Sequence, residues 1–352
     1  MKNPMVRQLG VEVRPKDAAE IHYIIKTLGI LDTSKKPIKT SNKVVFPIVT
    51  DEGLSKRPSS IQFVIGYHAF STRADHRPLL GRLEGNFPDL PWDSISLKFD
   101  QIGHIAVLKI DPKRTSASFR RQVGIEILKM YPKITSVVNK VDIIRGIRRK
   151  YPIEHLAGVK ETQGWHREYG LWIYFDLDKA YFNPRLAEEH HRIACNIKPN
   201  NRILDMFTGV GPFALHCAKK SQCQVVAIDI NPSAIDALKR SIARNQLQGS
   251  IDPILGDSGH VLKGNPKFDR VIINLPESSG EYLEQGASLI RKGGILTFYQ
   301  FFPRTTGIQE SIKILFKEKL THINSYKVIY SKIGARDISP SRVQVNVDVL
   351  IN

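Results

Sequence analysis

The most informative part of this chain is the segment DMFTGVGPF, residues Asp205–Phe213, taken with the runs on either side of it. A short apolar run, Arg202–Leu204, precedes the segment, and a helix-like run, Ala214–Ala218, follows it. An open α/β sheet uses this order of strand, acid, glycine-rich turn and helix to form a nucleotide-sized pocket at the carboxyl end of its first strand. Glycines let the backbone approach a ligand, and Pro212 begins a helix where a missing N–H costs little. The segment therefore predicts a nucleotide site.

Three further predicted strands carry a polar residue at or near their ends: Gln224–Asp229, Pro253–Asp257 and Phe268–Pro276, the last of which ends in Asn-Leu-Pro. An acid at Asp229, two dozen residues after the turn, can accept hydrogen bonds from two ribose hydroxyls. Asp257 can lie beside an adenine amino group. One polar strand end is ordinary, but four with this spacing favour a nucleotide-type cofactor.

The glycine pattern narrows the cofactor. The nicotinamide fingerprint Gly-x-Gly-x-x-Gly is incomplete, because Pro212 and Phe213 follow Gly211. Asp205 stands before the turn, where it can receive the ammonium group of an amino acid. An adenosine that carries an amino acid is S-adenosylmethionine, which is the cofactor that the sequence predicts.

The end of the chain agrees with a methyltransferase sheet. Strand patterns occur at Gly294–Tyr299, His322–Tyr330 and Val343–Ile351, the last alternating with period two. No helix-length segment separates the last two, so we expect an antiparallel closing pair. The predicted fold is α/β, with a Rossmann-like class I methyltransferase domain on a seven-stranded, mostly parallel sheet.

The composition suggests a polyanionic substrate. The 352 residues are too many for one methyltransferase core, and the formal net charge is +18. Lys and Arg exceed Asp and Glu in both halves, which favours nucleic acid, although a generally basic proteome would give the same excess. The basic residues that sharpen the case form two clusters: Lys113, Arg114, Arg120 and Arg121, and then Lys140, Arg145, Arg148, Arg149 and Lys150.

Other sequence features bear on membrane binding, disulfides, metal sites and the cellular compartment. No long apolar run or basic amphipathic helix favours a membrane partner, and Met1–Pro4 begins no signal-peptide core. Cys195, Cys217 and Cys223 form no Cys-x-x-Cys pair, which argues against a disulfide framework and against a zinc site. We expect no metal and a reducing, cytoplasmic location.

The amino-terminal half predicts two small α+β RNA-binding domains. We place domain boundaries at 1–66, 67–178 and 179–352. The predicted elements are a helix at Ala18–Leu28, a strand at Lys43–Ile48, a loop or linker at Tyr67–Asp93, a strand at Ile105–Ile110, a helix at Arg120–Met130, and strands at Ser136–Val141 and Tyr169–Leu177.

Over nearly its whole length the chain resembles the archaeal and eukaryotic family of tRNA (guanine-N1)-methyltransferases that act at position 37, next to the anticodon. The motifs that carry the resemblance are Asp205–Phe213, Tyr181–Glu189, Ile228–Pro232, Asn274–Pro276 and His155–Gly158, with a similar first domain over Val11–Ile48. The resemblance implies that the first domain contacts the outer corner of tRNA. It also implies that the other domains hold the anticodon stem-loop and that the enzyme acts as a monomer.

The chemistry of the family explains which residues matter. Guanine N1 carries a proton at neutral pH, so a base must remove it while the methyl group is held in line. Negative charge develops on O6, where a cation stabilises the transition state. The resemblance implies that Glu189 is the base and that Arg149 lies near O6. The alternatives are a surface salt bridge of Glu189 with Arg185 or Arg192 and a phosphate contact of Arg149.

The resemblance also implies the remaining site residues. Asn274 is the third residue predicted to be catalytic. The predicted cofactor-binding residues are His190, Asp205, Phe207, Gly209, Gly211, Asp229, Ile230, Asn231, Asp257, Ser258, Asn274 and Pro276. The predicted substrate-binding residues are Arg145, Arg149, Tyr181 and Pro276.

Two of these residues have open alternatives. Tyr181 either stacks on a flipped base or belongs to an aromatic core. His190 occupies a position where the family often has Arg, so a charged contact with the cofactor carboxylate is in doubt. It could instead share the apolar stripe of Leu186, Ile193 and Ile197.

Other functions remain open at this point. A related enzyme transfers the aminocarboxypropyl group of the same cofactor to a wyosine precursor, but its turn typically reads Gly-Ile-Gly-Tyr-Phe, so Pro212 favours methyl transfer. Another relative also methylates the tricyclic precursor at carbon. A non-catalytic RNA-binding protein is disfavoured because Asp205, Asp229, Asn274 and Glu189 are intact. A methyltransferase for proteins or small molecules is disfavoured by the positive charge and by the two extra domains.

Overall fold

We describe the chain from a computed structural model, which forms two compact units, residues 1–88 and 89–352. The described residues are 5–54, 61–71, 79, 81, 83, 87, 90, 92, 95–141, 152–262, 266–304, 307–320, 323, 325–334 and 342–352. Within them, no helix combines the length and the apolar character needed to cross a membrane.

The first unit is an antiparallel sheet covered by one helix. Its elements are β1 (Met5–Val13), α1 (Ala18–Thr27), β2 (Ile38–Lys39), β3 (Val44–Pro47) and β4 (Phe63–Ser71), and its strand order is β2-β3-β1-β4. Ile21 and Ile25, one helical turn apart, are buried in a core with Val11 and Phe46. The predicted helix and strand are confirmed.

The predicted loop from Tyr67 is wrong for residues 67–71. β4 pairs with β1 along its whole length, and Tyr67 lies opposite Leu9. The sheet therefore continues past residue 66, where the sequence placed the first domain boundary. The strand was missed because glycine and polar residues interrupt its apolar alternation.

The second unit begins with a smaller sheet. Its elements are β5 (Phe99–Ile102), β6 (Ile105–Leu108), α2 (Ala117–Met130), β7 (Ser136–Lys140) and β8 (Ile153–Gly158), in the order β5-β6-β7-β8, with only β6 and β7 parallel. Ser116 caps α2, since its Oγ accepts a hydrogen bond from the Phe119 amide at 3.1 Å. The predicted strand–helix–strand order of this part is confirmed.

Arg120 belongs to this small fold and not to its basic surface. Its side chain is buried and donates to both carboxylate oxygens of Glu154, at 2.8 and 2.9 Å, and to the Thr115 carbonyl at 2.5 Å. A buried bidentate ion pair of this kind is lost if either partner is removed. We therefore remove Arg120 from the cluster that the sequence assigned to RNA.

A hairpin connects this sheet to the larger one. It consists of β9 (Gln163–Glu168) and β10 (Leu171–Asp176), and its tight turn has positive φ angles of 45° at Tyr169 and 83° at Gly170. β10 confirms the strand predicted at Tyr169–Leu177. β9 was not predicted, because its polar sequence QGWHRE lacks an apolar alternation.

The seven-stranded sheet confirms the predicted fold class. Its strands are β11 (Arg202–Asp205), β12 (Gln224–Asp229), β13 (Ser250–Leu255), β14 (Phe268–Ile273), β15 (Ile290–Pro303), β16 (Tyr326–Ile333) and β17 (Arg342–Ile351). The order is β13-β12-β11-β14-β15-β17-β16. The first five strands are parallel, and β17 runs antiparallel to both β15 and β16. The predicted strand at His322–Tyr330 begins later, at Tyr326; residue 322 lies outside the described residues.

Helices cover both faces of this sheet. They are α3 (Ala187–Cys195), α4 (Pro212–Lys220), α5 (Pro232–Arg244), α6 (Ser279–Ser288) and α7 (Ile308–Lys319). One apolar core contains Phe213 and Leu238, from α4 and α5, and another contains Leu283 and Phe316, from α6 and α7. The order of the strands reverses at β11, and such a switch point opens a crevice at the carboxyl ends of the strands.

Candidate active site

A cavity of about 510 Å³ lies at this switch point, within the size range of small-molecule sites. Its wall brings together ten of the predicted site residues: Tyr181, His190, Phe207, Gly209, Asp229, Ile230, Asn231, Asp257, Ser258 and Asn274. Four others do not line the cavity: Glu189, Asp205, Gly211 and Pro276. Arg145 and Arg149 lie outside the described residues.

The two glycines of the turn serve different purposes. Both have positive φ angles, 56° at Gly209 and 84° at Gly211, so both turns favour glycine. A Cβ on Gly211 would lie 2.3 Å from the Cδ1 atom of Leu238, so this glycine lets α4 pack closely on α5. Gly211 thus lies outside the cavity wall and supports the site through helix packing, and its predicted cofactor contact stays a prediction.

Asp229 is fixed by the backbone of two loops. One carboxylate oxygen accepts from the Gly209 amide and the other from the Asn231 amide, each at 2.8 Å. An ionised carboxylate has about four acceptor positions, so it can take further hydrogen bonds from a diol. Asn231 itself caps α5 and donates to the Lys179 carbonyl at 2.7 Å, which makes it mainly a structural residue of the wall.

Asp205 is completely buried behind the turn. Its Oδ2 accepts from the Thr208 hydroxyl at 2.8 Å, while its Oδ1 has no hydrogen-bond partner among the described residues. Burial raises the pKa of Asp205 to about 7, and the nearby Asp229 carboxylate adds to the effect. A buried carboxylate oxygen without a partner suits an ammonium group, so the residues present fit the amino-acid part of S-adenosylmethionine.

Two aromatic side chains form one part of the cavity wall. The rings of Phe207 and Tyr282 meet edge to face with 4.7 Å between their centroids, and both line the cavity. Asp257 also lines the cavity, and its Oδ1 accepts from the Gly259 amide at 2.8 Å. Tyr282 lies on α6 and was missed, because nothing in the sequence around it distinguishes a wall residue from a surface tyrosine.

Glu189 lies beside the cavity in a buried charged cluster. Its side chain accepts from the Nε and Nη2 atoms of Arg192 at 2.8 and 2.7 Å, and from the Tyr299 hydroxyl at 2.9 Å. Arg192 also donates to Asp348 on β17 at 2.8 Å. The ion pair with Arg192 that the alternative predicted is present, with Glu189 buried and Arg192 partly exposed, whereas Arg185 pairs with Asp100 instead.

His190 is buried and lines the cavity from the same helix. Only 1% of the residue is exposed, and its ring meets the ring of Phe213 edge to face with 4.6 Å between centroids. Its Nδ1 atom lies 2.9 Å from the Glu168 carboxylate. His190 is therefore both a wall residue and part of a polar cluster behind the wall, not merely one member of an apolar stripe.

The loop after β14 forms the remaining wall. Asn274 and Leu275 line the cavity, and the Pro276 carbonyl accepts from the Phe301 amide at 3.1 Å. Pro276 thus holds this loop against β15 and does not line the cavity, and its predicted contacts stay predictions. Tyr181 also lines the cavity and is partly exposed, and its stacking on a flipped base stays a prediction.

A parallel sheet with an antiparallel closing pair, together with strand-end acids around an adenosine-sized cavity, defines a class I S-adenosylmethionine-dependent methyltransferase. Residues 164–329 match the family model described as the TRM5/TYW2 methyltransferase domain, and residues 81–162 match the TYW2 N-terminal domain. The chain belongs to the TRM5/TYW2 methyltransferase family, as its motifs predicted. It is therefore an S-adenosylmethionine-dependent transferase.

Full-length relatives carry this family assignment. The tRNA (guanine(37)-N(1))-methyltransferase Trm5b of Pyrococcus abyssi is 32% identical and covers 84% of each chain. Trm5b of Methanocaldococcus jannaschii is 36% identical, over 83% of this chain and 86% of that protein. The tRNA 4-demethylwyosine(37)-methyltransferase Taw21 of Saccharolobus solfataricus is 27% identical, over 72% of this chain and 94% of that protein.

Solved structures of Trm5 proteins have the same fold as this chain. Trm5 of Methanocaldococcus jannaschii in complex with adenosine matches with a TM-score of 0.71 and 28% identity, over 98% of this chain and 99% of that chain. A structure of aTrm5 in complex with tRNALeu matches with a TM-score of 0.69 and 27% identity, over 98% of this chain and all of that one.

Proposed function

We propose that this chain transfers the methyl group of S-adenosylmethionine to N1 of guanosine 37 in tRNA. The observation that carries the proposal is the match to two Trm5b enzymes over 83–84% of the chain. The second unit is shorter than the matched length, so the match also includes part of the first unit. The complete set of acids around the cavity opposes a non-catalytic RNA-binding protein, because such a protein has no use for Asp205 and Asp229.

The proposal assigns the base to Glu189. The target N1–H is a weak acid, so a carboxylate must accept its proton as the methyl group arrives. Glu189 lies on α3 between Leu186 and His190, which both line the cavity. Because Arg192 and Tyr299 already donate to its oxygens, guanine must displace one of these donors or use a remaining lone pair.

The cation near O6 is assigned to Arg149, with Arg145 as a second contact to the RNA. A cation at this oxygen stabilises the charge that develops as N1 loses its proton. Both residues lie outside the described residues, so this assignment rests on the family resemblance. Asn274 lines the cavity and offers an amide that can hold the guanine edge.

The remaining residues hold the cofactor, which supplies the electrophilic methyl group. In the proposed arrangement Asp229 binds the ribose diol, Asp257 lies near the adenine amino group, and Asp205 receives the ammonium. Phe207 and Tyr282 pack against the adenine ring. Tyr181 stacks on the target base once it has left the anticodon loop.

The charge of both units supports tRNA as the substrate. Residues 1–88 contain 14 Lys and Arg against 8 Asp and Glu, so the +18 total is shared between the units. We assign the outer corner of tRNA to the first unit and the anticodon stem-loop to the second, in a cytoplasmic enzyme that acts as a monomer. Binding to intact tRNA should therefore weaken steeply with salt.

The decisive experiment compares two tRNA transcripts that differ only at position 37. We expect one methyl group to be transferred when that position is G and none when it is A. Nuclease digestion followed by mass spectrometry identifies the product, which should be N1-methylguanosine. An aminocarboxypropyl product, or no product although S-adenosylmethionine binds, would contradict the proposal.

A second candidate function is methylation of a wyosine precursor, which the 27% identity to Taw21 favours. The same digestion is repeated on tRNA carrying 4-demethylwyosine at position 37. A methylated tricyclic base would add this activity to the first one. Unchanged 4-demethylwyosine beside active N1 methylation would restrict the chain to guanosine.

A further inference from the structure

A cluster of buried titratable side chains lies behind the cofactor cavity. Its centre is Glu168, the last residue of β9, whose Oε2 lies 2.9 Å from Nδ1 of His190 and 3.2 Å from Nε2 of His216. The three side chains are only 1–2% exposed. His166 lies 3.7 Å from the other oxygen, Oε1.

The chemistry of Glu168 fixes where the protons are. Although burial raises its pKa, the hydrogen bonds from His190 and His216 bring it down to about 2, so the carboxylate is ionised at neutral pH. An ionised carboxylate can only accept hydrogen bonds. Because Nδ1 of His190 and Nε2 of His216 both lie within hydrogen-bond distance of the same carboxylate oxygen, we assign the proton of His190 to Nδ1 and that of His216 to Nε2.

The other ring nitrogen of His190 belongs to the cavity side. Within the described part of the chain, Nε2 forms no hydrogen bond, and the residue lines the cavity. Burial lowers the pKa of His190, against the opposing pull of Glu168, so the ring is neutral at pH 7. A neutral ring with its proton on Nδ1 presents Nε2 as an acceptor.

Among the described residues, the other titratable groups that face the ring of His190 do not change its neutral state at pH 7. On the neighbouring helix α4, His216 donates its proton to Glu168 and opposes a charge on His190. On β9, His166 lies next to the same carboxylate. On its own helix, the charge of Glu189 favours protonation, but that carboxylate is already held by Arg192.

The position of His190 identifies the part of the cofactor that it meets. Asp229 ends β12 and Asp257 follows β13, and the proposed function places adenosine beside these two acids. His190 packs against Phe213, in the helix that begins directly after the turn at β11. We place the amino-acid end of S-adenosylmethionine on this side, because Asp205 ends β11 just before the turn and its Oδ1 has no hydrogen-bond partner among the described residues.

We propose that Nε2 of His190 accepts a hydrogen bond from the ammonium group of the cofactor, and that Glu168 is a positioning residue that fixes the His190 ring and its tautomer. An arginine at this position would do the opposite, because it can only donate and would bind the cofactor carboxylate. The inference rests on the proposed placement of S-adenosylmethionine in this cavity.

A bound metal ion is the rival interpretation. Donor atoms of Glu168, His190 and His216 lie within 4.8 Å of one another, and this donor set suits zinc. The direct hydrogen bonds at 2.9 and 3.2 Å already satisfy one nitrogen of each ring. We therefore interpret the three side chains as a hydrogen-bonded cluster. A bound metal ion is one of the outcomes that the experiments below distinguish.

The test measures binding of two cofactor analogues by calorimetry. S-adenosylhomocysteine carries the amino acid, and 5′-methylthioadenosine lacks it. We expect His190→Leu and Glu168→Gln each to weaken S-adenosylhomocysteine about 10-fold and to leave methylthioadenosine unchanged. The matched control is Glu161→Gln, which breaks a Glu–His pair with His104, at 3.1 Å, away from the cavity.

An equal loss for both analogues would overturn the proposal, because it indicates only a structural role for the cluster. Titrations at pH 7 in two buffers of different ionisation enthalpy give a second readout. Wild type and His190→Leu should take up the same number of protons when S-adenosylhomocysteine binds. About one additional proton in the wild type would show that His190 is a charged donor to the carboxylate.

Elemental analysis of the purified protein decides the metal question. Stoichiometric zinc that is lost in Glu168→Gln would overturn the hydrogen-bonded cluster, whereas metal-free protein with normal binding supports it. None of these measurements uses tRNA. A failure of this inference is therefore distinct from a failure of the proposed methyl transfer, which is read from the nucleoside product.

Discussion

The cofactor cavity has two walls of different construction. One consists of the loops after β11, β12 and β13, where Gly209, Asp229 and Asp257 are fixed by hydrogen bonds to nearby backbone. The other is formed by the helix α3, where His190 lines the cavity and is held by Glu168 of β9, while Glu189 lies beside the cavity and is held by Arg192 and Tyr299. The first wall suits a ligand that every member of the fold class binds. The second depends on partners that only this tertiary structure brings together.

The two walls are also expected to serve different steps: the strand-end wall binds the cofactor, and α3 takes part in the chemistry. Backbone-anchored acids need little besides the strand ends to be in place, so they can hold an adenosine whatever the substrate. The side chains on α3 are oriented by partners on three strands, Glu168 on β9, Tyr299 on β15 and Asp348 on β17. These strands must pack correctly around the helix before its side chains point in a defined direction. We therefore expect changes in the two walls to have separable effects.

Glu189→Gln should have the largest effect, which is on the rate of methyl transfer. Loss of a general base costs about 10²–10⁴-fold in the chemical step, while affinity for the cofactor should stay near normal because the strand-end wall is intact. Single-turnover methyl transfer to tRNA and calorimetric binding of S-adenosylhomocysteine measure the two quantities. The control is Glu188→Gln, whose side chain is exposed on the same helix. Equal rates in the two variants would remove Glu189 from the chemistry.

The next effect is on stability, from Gly211→Ala. The φ angle of 84° costs about 1–2 kcal/mol for an L-residue, and the contact with Leu238 adds roughly 1–3 kcal/mol. Gly293→Ala is the matched control, because its φ is 77° but no atom lies within 4 Å of the added Cβ. Urea unfolding gives both values. If the two variants lose the same stability, the close approach of α4 and α5 contributes nothing.

A smaller effect is on cofactor affinity, from Asp229→Asn. The amide can no longer accept from two backbone N–H groups and a diol, so we expect S-adenosylhomocysteine to bind about 10-fold more weakly. Asp236→Asn on α5 changes an exposed aspartate and serves as the control. Adenosine should weaken as much as S-adenosylhomocysteine; a loss confined to the latter would move Asp229 away from the ribose.

The smallest effect is a pH dependence of stability from Asp205. Its pKa of about 7 in the native protein exceeds the ordinary 3.8, so between these values the folded chain holds a proton that the unfolded chain has lost. The free energy of unfolding therefore falls as pH rises through this window, by about 1 kcal/mol from pH 6 to pH 7. Urea unfolding of Asp205→Asn should show a flatter slope. A slope identical to that of the wild type would mean that Asp205 is ionised in the native protein.

The sequence predicted the strand-end wall because its signals are local. An apolar run that ends in an acid, such as Gln224–Asp229, shows both the strand and the position of the side chain. The family resemblance added Glu189, but no local pattern could reveal that Tyr299 and Asp348 hold its cluster, since these partners lie 110 and 156 residues from the residues they bond. For the same reason Arg120 looked like a surface cation until its pairing with Glu154 was known.

The bond between Arg192 and Asp348 has a consequence for the order of folding. The helix that carries Glu189 is synthesised long before β17, and N-terminal parts of a chain generally fold first. The cluster around Glu189 cannot be complete until β17 is in place, because Asp348 lies on that strand. The side chain proposed as the base is therefore fully oriented only after the C-terminal strand has joined the sheet.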